Sequence, residues 1–179
     1  MTTSRYVADF AITCDADFSL LTNAVLDVTD GRISWIGEEN EAPKHDGPIN
    51  QLGGLVMPGL VNSHAHTPMT LVRGAGDGLP LMDWLTKVMW PREGQMTPED
   101  ALWGMRLGAA EMLLSGVTSS CEMYLFEEAL VEASKEVGIR LVMTPGIISA
   151  VHGESFGATD SRIAAIADFH AQHHDPESL

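Results

Sequence analysis

At the start of the chain, apolar positions come in short runs broken by turn residues. Residues 6–13 alternate loosely, residues 24–28 are apolar, and Asp30-Gly31 sits ahead of Arg32-Ile-Ser-Trp-Ile-Gly37. A period near two with Asp-Gly between the runs predicts strands joined by a tight hairpin. Residues 38–50 are polar and turn-rich, with Pro43, Gly47 and Pro48, which predicts a linker and a domain boundary near residue 52. The expected domains are therefore residues 1–52 and residues 53–179.

Beyond that boundary the pattern changes. Residues 55–61 form an extended apolar stretch with turn residues at both ends. Thr97-Pro-Glu-Asp100 opens a helix: Thr97 caps it, Pro98 suits the first position and Asp100 supplies a capping-box acid. Small and apolar residues continue through Leu102, Met105, Leu107, Ala110 and Leu114, and Gly116 ends the helix. Residues 116–121 read as a strand, residues 127–137 as a helix closed by Gly138, residues 139–143 as a strand, and residues 161–174 as a last helix. Strands alternating with helices predict an α/β fold of parallel βαβ units.

A complete (β/α)8 barrel takes roughly 250 residues, so the second region has room for roughly three of its eight units. The expectation is the N-terminal portion of such a TIM-type barrel, preceded by part of a small β-sandwich domain. The sequence closes on Pro176-Glu-Ser-Leu179, after a helix and ahead of the next expected strand, so a truncated barrel is expected.

Composition narrows the function. An apolar fraction of 45% and a charged fraction of 20% are those of a folded domain. The 25 acidic residues outweigh 10 basic ones, for a net charge of −15. That balance argues against nucleic acid and anionic membranes, both of which select for Lys and Arg. No apolar run reaches the ~20 residues that cross a bilayer, and no basic stretch followed by an apolar one marks a signal peptide. The 2 cysteines, Cys14 and Cys121, lie far apart without metal-type spacing. A reduced, cytoplasmic setting is expected.

The candidate chemistry lies in Gly59-Leu-Val-Asn-Ser-His-Ala-His66. On a strand, residues i and i+2 project from one face, so His64 and His66 can reach a common point. Two convergent imidazoles make half of a typical zinc, iron or nickel site, and barrel chemistry sits at the C-terminal ends of strands. An isolated His-x-His more often splits into a strand cap and a solvated residue. The Met-Pro-Gly-Leu-Val strand in front of it favours the metal.

Met57-Pro-Gly-Leu-Val-Asn-Ser-His-Ala-His66 resembles the first-strand signature of the amidohydrolase superfamily. More narrowly, the chain resembles the branch holding the methylthioadenosine/S-adenosylhomocysteine deaminases and the s-triazine chlorohydrolases. Matching runs are Thr67-Pro-Met-Thr-Leu-Val-Arg-Gly74, Leu79-Pro-Leu-Met-Asp-Trp-Leu85, Trp90-Pro-Arg-Glu93 and Ala110-Glu-Met-Leu-Leu-Ser-Gly-Val-Thr118. They are colinear, and the likeness extends over essentially the whole chain.

The resemblance implies a divalent metal, zinc or alternatively iron, that activates water against a ring carbon bearing an amino or halide leaving group. It implies His64 and His66 as ligands, completed by a later His and Asp. A catalytic Glu and another His also belong to the part of the family that the match does not reach. It implies Trp84 and Glu93 as pocket residues, Glu93 accepting from ribose hydroxyls as a two-oxygen carboxylate can. Without the resemblance, Trp84 reads equally as a core residue beside Leu81, Leu85 and Val88, and Glu93 as a loop acid. Adenosine-acting members often carry Arg where Pro145 stands in Thr144-Pro-Gly146, a departure that counts against adenosyl specificity. The family also tends towards dimers or larger assemblies.

The remaining histidines and Cys121 carry less. His170 and His174 share a helix face at i, i+4 with no Glu between them, and read as solvated helix-end residues. His152 lies in a Gly-rich loop after the third strand, as a substrate contact or an ordinary loop residue. His45 falls in the linker, and Cys121 reads as a small buried hydrophobe.

The expected function is therefore hydrolysis of carbon–nitrogen bonds, with deamination of a purine nucleoside or related heteroaromatic ring first. An s-triazine-type hydrolase is second. The contrasting class is a non-catalytic fragment or homologue, favoured by the half-complete metal site. On that ground, the 179-residue chain alone is expected to show no hydrolase activity and only weak metal affinity.

Overall fold

The computed structural model describes residues 3–146 and 156–175. The chain divides into two compact units, one up to Pro58 and one from Gly59 onward.

The first unit is a mixed sheet. Strands β1 (Thr3–Ile12), β2 (Leu20–Thr29) and β3 (Arg32–Glu38) run antiparallel in turn, while β4 (Ile49–Gln51) and β5 (Leu55–Val56) pair with β1 in parallel. The β2–β3 turn is Asp30-Gly31, with φ of 50° and 79°. Two left-handed residues match the twist of the strands they join, and Gly31 takes that conformation without steric cost. Ala8, Ala11, Ala24, Val25 and Leu26 are buried.

The expected strand over residues 55–61 is two strands. β5 ends at Val56, and β6 (Leu60–Ala65) begins a separate sheet. Between them lie Met57, Pro58 and Gly59, where proline has no amide hydrogen to donate to a ladder.

The second unit is a parallel sheet in the order β6-β7-β8, with β7 spanning Val117–Glu122 and β8 Arg140–Met143. A 3-10 turn, Thr67–Val72, follows β6 directly. Helical turns then run from α1 (Leu81–Trp84) through a π turn (Leu85–Met89) to α2 (Trp90–Glu93). The π turn has a cause in sequence. Pro91 offers no N–H, and its ring would crowd the carbonyl four residues back. The Trp90 N–H closes instead on Leu85 O.

Helix α3 (Pro98–Leu114) opens as the sequence predicts. The Asp100 N–H donates to Thr97 Oγ1 at 3.2 Å, and the Thr97 N–H donates to Asp100 Oδ2 at 2.8 Å. These two bonds satisfy otherwise orphaned groups. α4 (Glu127–Val137) joins β7 to β8, and α5 (Phe156–His173) starts five residues ahead of the expected residue 161. The core lies between α3 and α4, built from Ala101, Met105, Ala109, Leu130 and Ala133, together with Tyr124. Among the described residues, no helix is long and apolar enough to cross a membrane.

Candidate metal centre

β6 carries His64 and leads into His66 at its C-terminal end. Its pairing with β7 slips between Leu60 and Val61 and again between Asn62 and Ala65. Such irregularities re-aim side chains at the ends of strands. The two rings lie edge-on, with centroids 4.9 Å apart and an interplanar angle of 78°. Both line a cavity of about 390 Å3 together with Asn62, Thr67 and Thr70. His64 is exposed and His66 is half-buried.

His66 is oriented from the neighbouring strand. Its Nδ1 lies 2.5 Å from the carbonyl oxygen of Met123. A carbonyl can only accept, so Nδ1 carries a hydrogen, and in the neutral ring the lone pair is then on Nε2. The Met123 N–H in turn donates to Ala65 O at 3.2 Å. Just before Met123, Glu122 is fully buried, at 0% exposure. Both of its carboxylate oxygens lie 3.1 Å from the Thr67 N–H they accept from.

Tyr124 completes this end of β7. Its ring centroid is 6.4 Å from that of His66, and its hydroxyl lies 3.2 Å from Met96 Sδ. Burial, and then the neighbouring Glu93 carboxylate, push the phenol above its ordinary pKa. Tyr124 is therefore a protonated donor throughout the physiological range.

The four residues expected at the site do not all meet. His64 and His66 adjoin each other, and half-buried Glu93 reaches the same neighbourhood through Tyr124. Trp84 is engaged elsewhere. Its indole N–H donates to Ala75 O at 3.0 Å, and it lines a separate cavity of about 240 Å3 with Met69, Arg73 and Met89. Cys121 is a half-buried free thiol. His170 and His174 stack at 4.5 Å, and His152 lies outside the described residues. Glu122 and Tyr124 were not marked by sequence reasoning, which stopped at Cys121. The signal for them is that parallel strands end on the same side, so the residues closing β7 belong beside those closing β6.

This donor set fits part of a zinc shell. A metal-bound imidazole characteristically donates its other ring N–H to a backbone carbonyl or carboxylate, and His66 already does so. Thr67 lines the cavity, and its Oγ1 is buried without a hydrogen-bond partner among the described residues. Two imidazoles supply two of four tetrahedral positions. Among the described residues, no group of three or more His, Cys, Asp or Glu side chains could hold a metal ion.

The sequence pattern of the amidohydrolase family matches residues 55–176. The chain belongs to that family. It is 41% identical over 135 residues to a 5-methylthioadenosine/S-adenosylhomocysteine deaminase of Thermoanaerobacter pseudethanolicus, covering 75% of this chain and 31% of that protein. A zinc-containing adenosine deaminase from Xanthomonas campestris superposes with a TM-score of 0.79 at 27% identity, over 98% of this chain and 41% of that one. A zinc complex of an atrazine chlorohydrolase from Arthrobacter aurescens TC1 shares the fold, with a TM-score of 0.82 at 21% identity over 97% of this chain and 44% of that one. The chain spans about a third of the length of the curated relatives it matches.

Proposed function

We propose that this chain supplies the first metal ligands and part of the substrate pocket of a metal-dependent hydrolase. The reaction is cleavage of a carbon–nitrogen bond, as deamination of a purine nucleoside or a related heteroaromatic ring. The observation that carries this reading is the Nδ1–H of His66 on the Met123 carbonyl at 2.5 Å, which leaves Nε2 free beside His64. His64 and His66 would hold zinc, with iron as the alternative. When bound, such a cation supplies Lewis acidity, lowering the pKa of a water so that it attacks near neutral pH.

The chain's own residues do the positioning. The Met123 carbonyl fixes the tautomer and ring plane of His66. Tyr124, held protonated, keeps a donor beside Glu93, whose two oxygens suit the adjacent hydroxyls of a ribose. Trp84 offers an apolar face in the neighbouring cavity. In this reading, β6-β7-β8 is the opening arc of a (β/α)8 barrel, and the first unit is part of a β-sandwich. Both are supported by the fold shared with the zinc-containing neighbours.

A second reading is hydrolysis of an s-triazine; Pro145, which stands where adenosine-acting members often carry Arg, counts against adenosyl specificity. One chimera separates the two. The chain is joined to the remaining barrel of the Thermoanaerobacter deaminase, loaded with zinc, and assayed on purine nucleosides and s-triazines. Ammonia release from a purine nucleoside, abolished by His64→Ala, is expected. No ammonia from any purine would remove the first reading, and chloride release from a chlorotriazine would install the second.

A further inference from the structure

Glu122 is the one wholly buried carboxylate among the described residues. Burying an ionised carboxylate is costly unless it is hydrogen-bonded or paired. Its side chain accepts from one donor, the backbone N–H of Thr67, with both oxygens at 3.1 Å. That nitrogen belongs to the peptide directly following His66. The next residue after Glu122 supplies the carbonyl that meets His66 Nδ1. The last residue of β7 and the one after it thus grip two successive residues after β6, one through the backbone and one through the ring.

The grip is itself braced. The Glu122 carbonyl accepts from the Thr144 N–H at 2.8 Å and from Thr144 Oγ1 at 3.0 Å, so the end of β8 holds the end of β7. On the other side, Thr70 Oγ1 donates to Gly104 O at 2.9 Å, tying the turn after His66 to α3. His66 therefore hangs from a peptide whose N–H is held between both oxygens of a buried side chain.

We propose that Glu122 is a positioning residue for the metal centre. Its carboxylate holds the His66–Thr67 peptide so that the His66 ring keeps its hydrogen on Nδ1 and presents Nε2. The proposal rests on the reading of His64 and His66 as ligands. Its first readout needs no metal.

The test uses the full chain and its variants Glu122→Gln and Glu122→Ala, with folding checked by circular dichroism. In metal-free protein, at a pH above the usual histidine range, nitrogen-15 NMR of the imidazoles reports the His66 tautomer. Wild type is expected in the Nδ1–H form, and the variants in a mixture of the two tautomers. Zinc affinity, from competition with a chromophoric chelator, is expected to fall about 10–100-fold in Glu122→Ala and by less in Glu122→Gln. A folded variant with the wild-type tautomer and wild-type zinc affinity would overturn the proposal. So would loss of folding in both variants, which would make Glu122 a residue of the core alone. If wild type binds no zinc, the ligand reading falls, and the tautomer comparison still decides the role of Glu122.

Discussion

Arg5 and Asp27 face each other across β1 and β2, and both are buried. Arg5 Nε and Nη2 donate to the two Asp27 oxygens at 2.8 Å each, and Nη2 also donates to the Pro43 carbonyl at 2.9 Å. This bidentate bond holds the Asp27 carboxyl below the usual carboxylate range. Because the folded pKa is the lower one, the pair's stabilisation is complete above the ordinary value of about 3.9 and is lost as pH falls through the folded value. Asp27→Asn leaves Arg5 buried without a counter-charge, and is expected to cost about 3–5 kcal/mol at neutral pH. Denaturant melts at about pH 7 and about pH 3 should also show a shallower acid loss in the variant. An unchanged acid dependence would contradict this. Nothing in the sequence marks this pair, because the two residues meet only through strand register, 22 positions apart. The same holds at the metal centre. The spacing of His64 and His66 is legible, but the carbonyl that orients His66 lies 57 residues away.

Among the helices, α3 shows how packing chooses residues that periodicity alone does not. The sequence directs attention to its larger apolar residues, yet Leu107 and Leu114 are exposed. The buried face is Ala101, Gly104, Met105, Gly108 and Ala109, spaced three and four apart as one stripe of a helix must be. The reason is the turn Thr67–Val72, whose backbone lies against this face. A Cβ on Gly104 would sit 2.6 Å from Pro68 O. Gly104→Ala would stabilise an isolated helix by about 1 kcal/mol, but here it is expected to destabilise the protein by about 1–3 kcal/mol through overpacking. Urea melts check the sign, and a gain in stability would show that the turn yields freely. Element type and order were legible in residues 97–143 because caps and stop glycines mark the ends locally. The break at Pro58 was hidden inside one apolar run, which periodicity cannot divide between two sheets.

Taken whole, the molecule is a β-rich unit and a βαβαβ unit whose strand ends gather His64, His66, Glu122 and Tyr124. The family was readable because the dyad and its flanking runs are contiguous in sequence. The buried support was not, since it comes from the far end of another strand and looks like ordinary polar sequence. The Trp84 indole N–H is held by the Ala75 carbonyl, a backbone partner that sequence spacing does not reveal. The central claim is that the two imidazoles form a partial cation site, and zinc titration of the chain against a chromophoric chelator tests it most directly. The expected result is one zinc per chain, held more weakly than the about 10–16 kcal/mol of complete structural sites, with binding lost in the His64→Ala/His66→Ala double variant. Equal zinc affinity in that double variant and in wild type would contradict the account.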